Sequence, residues 1–198
     1  MNKKDKVLMF KDEIGWINNK EIRKFAVCMI AELPDYFFEV PASSTGKYHP
    51  EYSLGKGGLV RHTKGAVLIA KTLFDLEQYQ SEYSEEERDI MLTALLLHDG
   101  VKHGLNGSKY TVSTHPTEMV DFINDFITKK DLNPWDDMIT TIQLICHCIA
   151  THMGSWNTDR NGVEILPKPT SNMQQFVHLC DFLASRRFLE IYFEEVEY

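Results

Sequence analysis

The residues able to do chemistry in this chain are histidines and aspartates that interrupt apolar helical stripes. His62 lies in line with Leu59, Ala66, Ile69 and Leu73. His98 follows Met91, Ala94 and Leu95 on one face, and Asp99 follows Leu95 and Leu96. His152 continues the stripe of Ile142, Ile145, Cys148 and Ile149. Asp181 has Val177 at i−4, Ala184 at i+3 and Phe188 one turn further. A buried carboxylate is costly unless it is paired or bound to a metal. Taken singly, each histidine is more readily a satisfied core residue, and Asp181 an ion-paired one with Arg186 or Arg187 nearby. Taken together, three imidazoles and two carboxylates on the inner faces of four helices are explained by convergence on metal ions inside a bundle. Neighbours on a helix point about 100° apart, but at a helix end His98 and Asp99 can chelate one ion or bridge to a second. His147 precedes His152 by five residues and sits on a more polar face with Gln143 and Thr151. His152 is therefore taken as the ligand and His147 as a supporting or surface residue.

Helices must position these groups, and the sequence supplies them. Ile22, Phe25, Ala26, Met29 and Leu33 mark a helix over 18–33 that Pro34 stops. A second helix is expected from Gly58 to about Gln78. Ser84 and Glu87 form a capping-box pattern before DIMLTALLLHD, and Ser171 and Gln174 another before a last helix to about Glu194. Pro116 suits the first turn of a helix reaching about Lys129, and Asn133–Pro134 the start of one ending near His152. Residues 41–57, 100–114 and 154–170 read as loops. No strand pattern, repeat or linker is visible. The fold class expected is all-α, with an N-terminal helical segment over 1–34 packed on a main domain over 35–198.

The chain has 198 residues with 43% hydrophobic and 25% charged content, ordinary for a folded domain. Net charge is −8 and the sequence pI about 5.5, which argues against holding a long nucleic acid through a basic face. A small anionic ligand stays open, because metal ions supply local positive charge. No run of about 18 apolar residues exists to span a membrane, and the N-terminus lacks the apolar core of a signal peptide. Cys28, Cys146, Cys148 and Cys180 form no CxxC pair and read as buried reduced thiols of a cytoplasmic protein.

The order His62, His98-Asp99, Asp181 resembles the HD-domain metalloprotein superfamily. GGLVRHT places the first histidine in the opening turns of a helix. LLLHDGVKHG resembles the superfamily's apolar helix ending in HDxxK, and VHLCDFLASRR its closing aspartate helix with Arg186 five residues on. His115 in STHP resembles the histidine found before a helix in two-metal members. IATHMG resembles the later histidine often seen as HHG, with Met153 in place of the second. The likeness covers roughly residues 35–190. The stretch FFEVPASSTGKYHPEYSLGKGGLVRHT also resembles the approach to the HD domain of certain bacterial 3′-to-5′ exoribonucleases. Those carry an OB-fold in front, for which this chain has no room.

The resemblance implies an HD-domain helical bundle with an interior metal site. His62, His98, Asp99 and Asp181 would hold one ion, and Asp99, His115 and His152 a second. Such a donor set suits Mn, Fe, Co or Zn. Two ions would activate a water and clamp a phosphoryl group for metal-dependent phosphohydrolysis. Asp99 and Lys102 would be catalytic. Lys102 would contact a phosphoryl oxygen, with a solvated loop lysine as the equal alternative. Arg186 and His49 would bind substrate, Lys47 and Tyr48 could line the mouth beside His49, and Trp156 and Arg160 could meet a base. Gly55, Gly57 and Gly58 either face a phosphate or simply turn the loop into its helix. The substrate expected is a small phosphorylated compound, a nucleotide or short oligonucleotide. Two other readings use the same residues: a mixed-valent diiron oxygenase of the HD type, and a non-catalytic HD regulatory module.

Overall fold

A computed structural model describes residues 1–43, 45–128 and 135–189. These residues form nine α-helices and no sheet strand, an all-α fold; one isolated bridge joins Thr158 and Glu164. The organising element is α6 (Glu85–Leu97). Ser84 and Glu87 cap it reciprocally, as their spacing requires. Every residue from Asp89 to Leu97 is buried, the signature of a helix enclosed on all sides. Four helices enclose it: α3 (Lys20–Glu32), α4 (Gly58–Phe74), α8 (Ile139–Thr151) and α9 (Asn172–Ala184). The helix α7 (His115–Thr128) packs on α8. The C-terminal end of α6 therefore opens into a space walled by the other helices, and His98-Asp99 stands there.

The start of α3 is tied to this central helix. Asn19 caps α3 by accepting the N–H groups of Glu21 and Ile22. The buried carboxylate of Asp89 accepts the N–H groups of Asn18 and Asn19 at 3.0 and 2.7 Å. The segment 1–34 also contains α1 (Lys3–Leu8) and α2 (Lys11–Gly15). Phe10, Ile14 and Ile17 join the same apolar core as Phe25 and Met29. Lys6 is buried, donates to the Leu33 carbonyl and pairs with Asp35 at 2.7 Å.

Three helix ends differ from the sequence expectation. One is at the helix expected to open at Asn133–Pro134, whose described part begins as a 3-10 turn over Asp136–Met138 and becomes α-helical only at Ile139. The second expected helix stops at Phe74 rather than Gln78, and a short α5 (Glu77–Glu82) follows an extended Leu76. This break lets Tyr79 and Tyr83 pack edge-on against Phe176, which stacks on Phe74 at 4.8 Å. The last helix ends at Ala184 rather than near Glu194. The Phe182 carbonyl accepts both the Ser185 hydroxyl and Arg186 Nε, and the Arg187 N–H turns away to the Tyr48 carbonyl at 2.7 Å. The expected start at Asn133–Pro134, Lys129 and the acidic stretch beyond residue 189 lie outside the described residues.

Candidate metal centre

Five helices deliver the expected donors to one place. His62 comes from the second turn of α4 and Asp181 from α9. His98 caps the end of α6 with Asp99 next to it, His152 caps the end of α8, and His115 opens α7. A Cβ on Gly100 would come within 2.6 Å of Leu33 and 2.9 Å of the Met119 sulfur. Glycine is thus what lets the chain carrying His98 and Asp99 pass this close to α7. All the donors are buried except Asp181, whose side chain is 17% exposed.

Asp99 divides the cluster between its two oxygens. Oδ2 faces His98 Nε2 at 3.4 Å, His62 Nε2 at 3.6 Å and Lys102 Nζ at 2.5 Å. Oδ1 faces His115 Nε2 at 3.0 Å and His152 Nε2 at 3.8 Å. Asp181 Oδ1 lies 3.0 Å from His62 Nε2 and 3.5 Å from His98 Nε2. His62, His98 and Asp181 bring donor atoms within 4.8 Å of one another, and so do His98, Asp99 and His152. His98 thus belongs to both groups, whereas the sequence reading placed it in one. His115 stands against Asp99 and His152.

Hydrogen bonding fixes what these nitrogens can do. Nδ1 of His98, His115 and His152 each lies 2.7 Å from the carbonyl oxygen three residues earlier, of Leu95, Val112 and Ile149. A carbonyl only accepts, so each Nδ1 carries a proton and Nε2 is the atom offered inward. His115 Nε2 and His152 Nε2 then face each other at 3.2 Å. In neutral rings both are acceptors, and such a contact calls for a cation or a shared proton. His62 Nε2, His98 Nε2 and Asp99 Oδ1 are fully buried without a hydrogen-bond partner, although carboxylates or imidazoles stand close. Imidazoles held from behind by backbone carbonyls are the usual arrangement around a bound metal. The buried His/Asp groups can hold a metal ion. The donors in both groups are nitrogen and oxygen only, with no cysteine among them.

Charge makes the same demand. A buried unpaired charge costs several kcal/mol, against a total domain stability of about 5–15 kcal/mol. The buried carboxylate of Asp99 and the partly buried one of Asp181 therefore need cations. Burial works to raise the pKa of Asp99, but Lys102 and then His98 outweigh it and hold the group well below the carboxylate range. Burial is likewise outweighed at Asp181 by the imidazoles of His62 and His98. Burial alone would lower His98, yet the Asp99 and Asp181 carboxylates raise it to about 10. His152 falls to about 3 through burial and the neighbouring His98 charge. Without metal, the imidazolium of His98 and the ammonium of Lys102 supply the positive charge.

A cavity of about 270 Å³ opens beside the cluster. Asp99, Lys102, His152 and Asp181 form its floor, and Tyr48, His49, Trp156 and Arg186 stand among its walls. His49 lies with its ring 5.6 Å from that of His62, and burial lowers it to about 4. Lys102 and Arg186 both line the cavity. Lys47 instead lies over the Tyr48 ring, and Arg160 is exposed away from the lining. Gly57 and Gly58 donate their N–H groups to the carbonyls of Glu39 and Gly55, so they turn the chain and are not free for an anion. Arg61 fastens this loop by donating to the carbonyls of Tyr52, Lys56 and Leu54. His147 is exposed, on the groove between α7 and α8.

Sequence reading missed His178. Its Nδ1 donates to the His152 carbonyl at 2.6 Å and so links α9 to the end of α8. The trace in the sequence is Gly154: at φ +56 its Cβ would lie 2.2 Å from the His178 ring. Comparison of the chain with models of known protein families, with curated proteins and with solved structures finds no match in any of the three. No described helix is long and apolar enough to cross a membrane.

Proposed function

We propose that this chain is a metal-dependent phosphohydrolase of the HD type, cleaving a phosphate ester or phosphodiester of a nucleotide or short oligonucleotide. The observation that carries the reading is the pair of opposed Nε2 acceptors of His115 and His152 beside Asp99, with His152, Asp99 and Lys102 lining one cavity. Divalent ions held by His62, His98, Asp99 and Asp181, and by Asp99, His115 and His152, would bring the pKa of a water toward 7 and polarise a phosphoryl oxygen.

The chain's own residues prepare that chemistry. Backbone carbonyls lock three imidazoles with Nε2 inward, so no reorientation is needed when a ligand arrives. Lys102 is part-buried against Asp99 and faces the cavity, where its ammonium can shift from the carboxylate to a phosphoryl oxygen. Arg186 offers a second cation at the wall. The enclosed floor keeps bulk water from screening these charges. The overall charge of −8 favours a small substrate over a long polymer.

The test is incubation with Mn²⁺ and a panel of nucleotides, cyclic nucleotides, dinucleotides and short oligonucleotides, with products separated by chromatography. Phosphate or nucleotide release that disappears in Asp181→Ala supports hydrolysis and names the bond. No product from any member, with metal demonstrably bound, overturns it. Oxygen uptake with a non-phosphorylated substrate would then favour diiron chemistry.

A further inference from the structure

The cavity mouth carries flat apolar surface that the hydrolytic chemistry does not need. Trp156 follows His152 by four residues, and Phe182 directly follows Asp181. Their rings stack at 5.7 Å with 18° between planes. The Arg186 guanidinium lies 4.2 Å from the Phe182 centroid, 4.9 Å from that of Trp156 and 6.0 Å from that of Tyr48. Trp156 remains 50% exposed and Tyr48 56%. The loop that bears Trp156 is also held by contacts outside this stack. Asn157, which is 1% exposed, pins it by donating from Nδ2 to the Leu166 carbonyl and accepting the N–H groups of Ile165 and Leu166. A tryptophan half-open to solvent, backed by a ring and a guanidinium and rigidly joined to two donor residues, is a platform for a planar ligand.

We infer that Trp156, backed by Phe182 and Arg186, is the specificity-determining platform that stacks a flat heteroaromatic ring of the substrate while the phosphoryl group sits at Lys102 and the His/Asp cluster. The inference rests on the proposed hydrolysis for its phosphate end, and on the aromatic geometry alone for its ring end. It means that the protein selects a phosphorylated compound by its ring and discriminates against sugar phosphates of equal charge.

The test is calorimetric titration of the full chain with AMP, adenosine and ribose 5-phosphate, without added metal so that no turnover interferes. Stacking of one base contributes enough to tighten binding about 10- to 100-fold. AMP is expected to bind tighter than ribose 5-phosphate by that factor. Trp156→Ala removes the difference and leaves ribose 5-phosphate binding in place, and Trp156→Phe restores most of it. Equal binding of AMP and ribose 5-phosphate overturns the inference. So does a Trp156→Ala chain that loses affinity for both alike, because that is the mark of a merely structural stack. Ring selectivity in a chain that releases no phosphate from any panel member would leave the platform standing and the hydrolase reading refuted. Hydrolysis without ring selectivity would do the reverse.

Discussion

His178 Nδ1 and the main-chain oxygen of His152 are joined by a 2.6 Å hydrogen bond that ties the middle of α9 to the end of α8. His178 precedes Asp181 by one helical turn, so one contact sets the relative position of two donors from different helices. Gly154 must be small for the imidazole to lie there. Gly154→Ala forces both a strained left-handed residue and a collision, and is expected to destabilise the fold by about 1–3 kcal/mol in urea unfolding. His178→Ala leaves the donors present but one of them unbraced. Its expected effect is a metal affinity lower by about 10- to 100-fold, measured by titration with Mn²⁺.

Metal should stabilise the native state strongly, since the unfolded chain cannot assemble donors spread from His62 to Asp181. At a free concentration one hundred times the dissociation constant, the gain is about 2.7 kcal/mol for one site. In a chain of this size that corresponds to roughly 5–10 °C in Tm. Calorimetric scans with Mn²⁺ and with a chelator should differ by at least that amount, more if both donor sets fill, and Asp99→Ala should abolish the difference.

Lys102 donates to Asp99 Oδ2 at 2.5 Å and sits at the cavity floor. Lys102→Met removes the cation that the proposed hydrolysis assigns to the phosphoryl group while keeping all six His and Asp donors. Retained metal binding with kcat lower by about 100-fold is the expected result. Steady-state kinetics beside elemental analysis of the same sample separates the two effects.

The N-terminal segment offers a pH test of its own. The Lys6 ammonium and then the chain amino terminus hold Asp35 at about 2, below its ordinary 3.8. A depressed carboxylate stabilises the fold above its unfolded pKa and loses that contribution as pH falls toward the folded value. Wild type should therefore be more stable than Asp35→Asn above pH 4, and the gap should close as pH approaches 2. Urea midpoints across that range measure it.

The donors were legible because burying polarity is costly. His62, His98, Asp99, His152 and Asp181 each interrupt an apolar stripe, and the structure brings them together. Both capping boxes were equally legible, since Ser84 with Glu87 and Ser171 with Gln174 are local patterns. His115 interrupts no stripe: it opens its helix, and only the family resemblance pointed to it. The brace from His178, the stack of Trp156 on Phe182 and the early stop of α9 depend on contacts between distant segments. Periodicity reports which face of a helix is inward and says nothing of what meets it there. The same limit hid the contact of Arg186 with the Trp156 and Phe182 faces, since its place near Asp181 in sequence suggests only an ion-pair or phosphate partner.

If the buried His/Asp cluster is a metal centre, the chain must retain metal in a fixed ratio. The chain, its His62→Ala variant and its His115→Ala variant would be dialysed against Mn²⁺ and then analysed for bound metal. Two donor sets should leave about two ions per wild-type chain and about one in each variant, because the substitutions strike different sets around the shared Asp99. A wild-type chain that retains no metal, or the same content in all three proteins, would contradict a metal centre with these two donor sets.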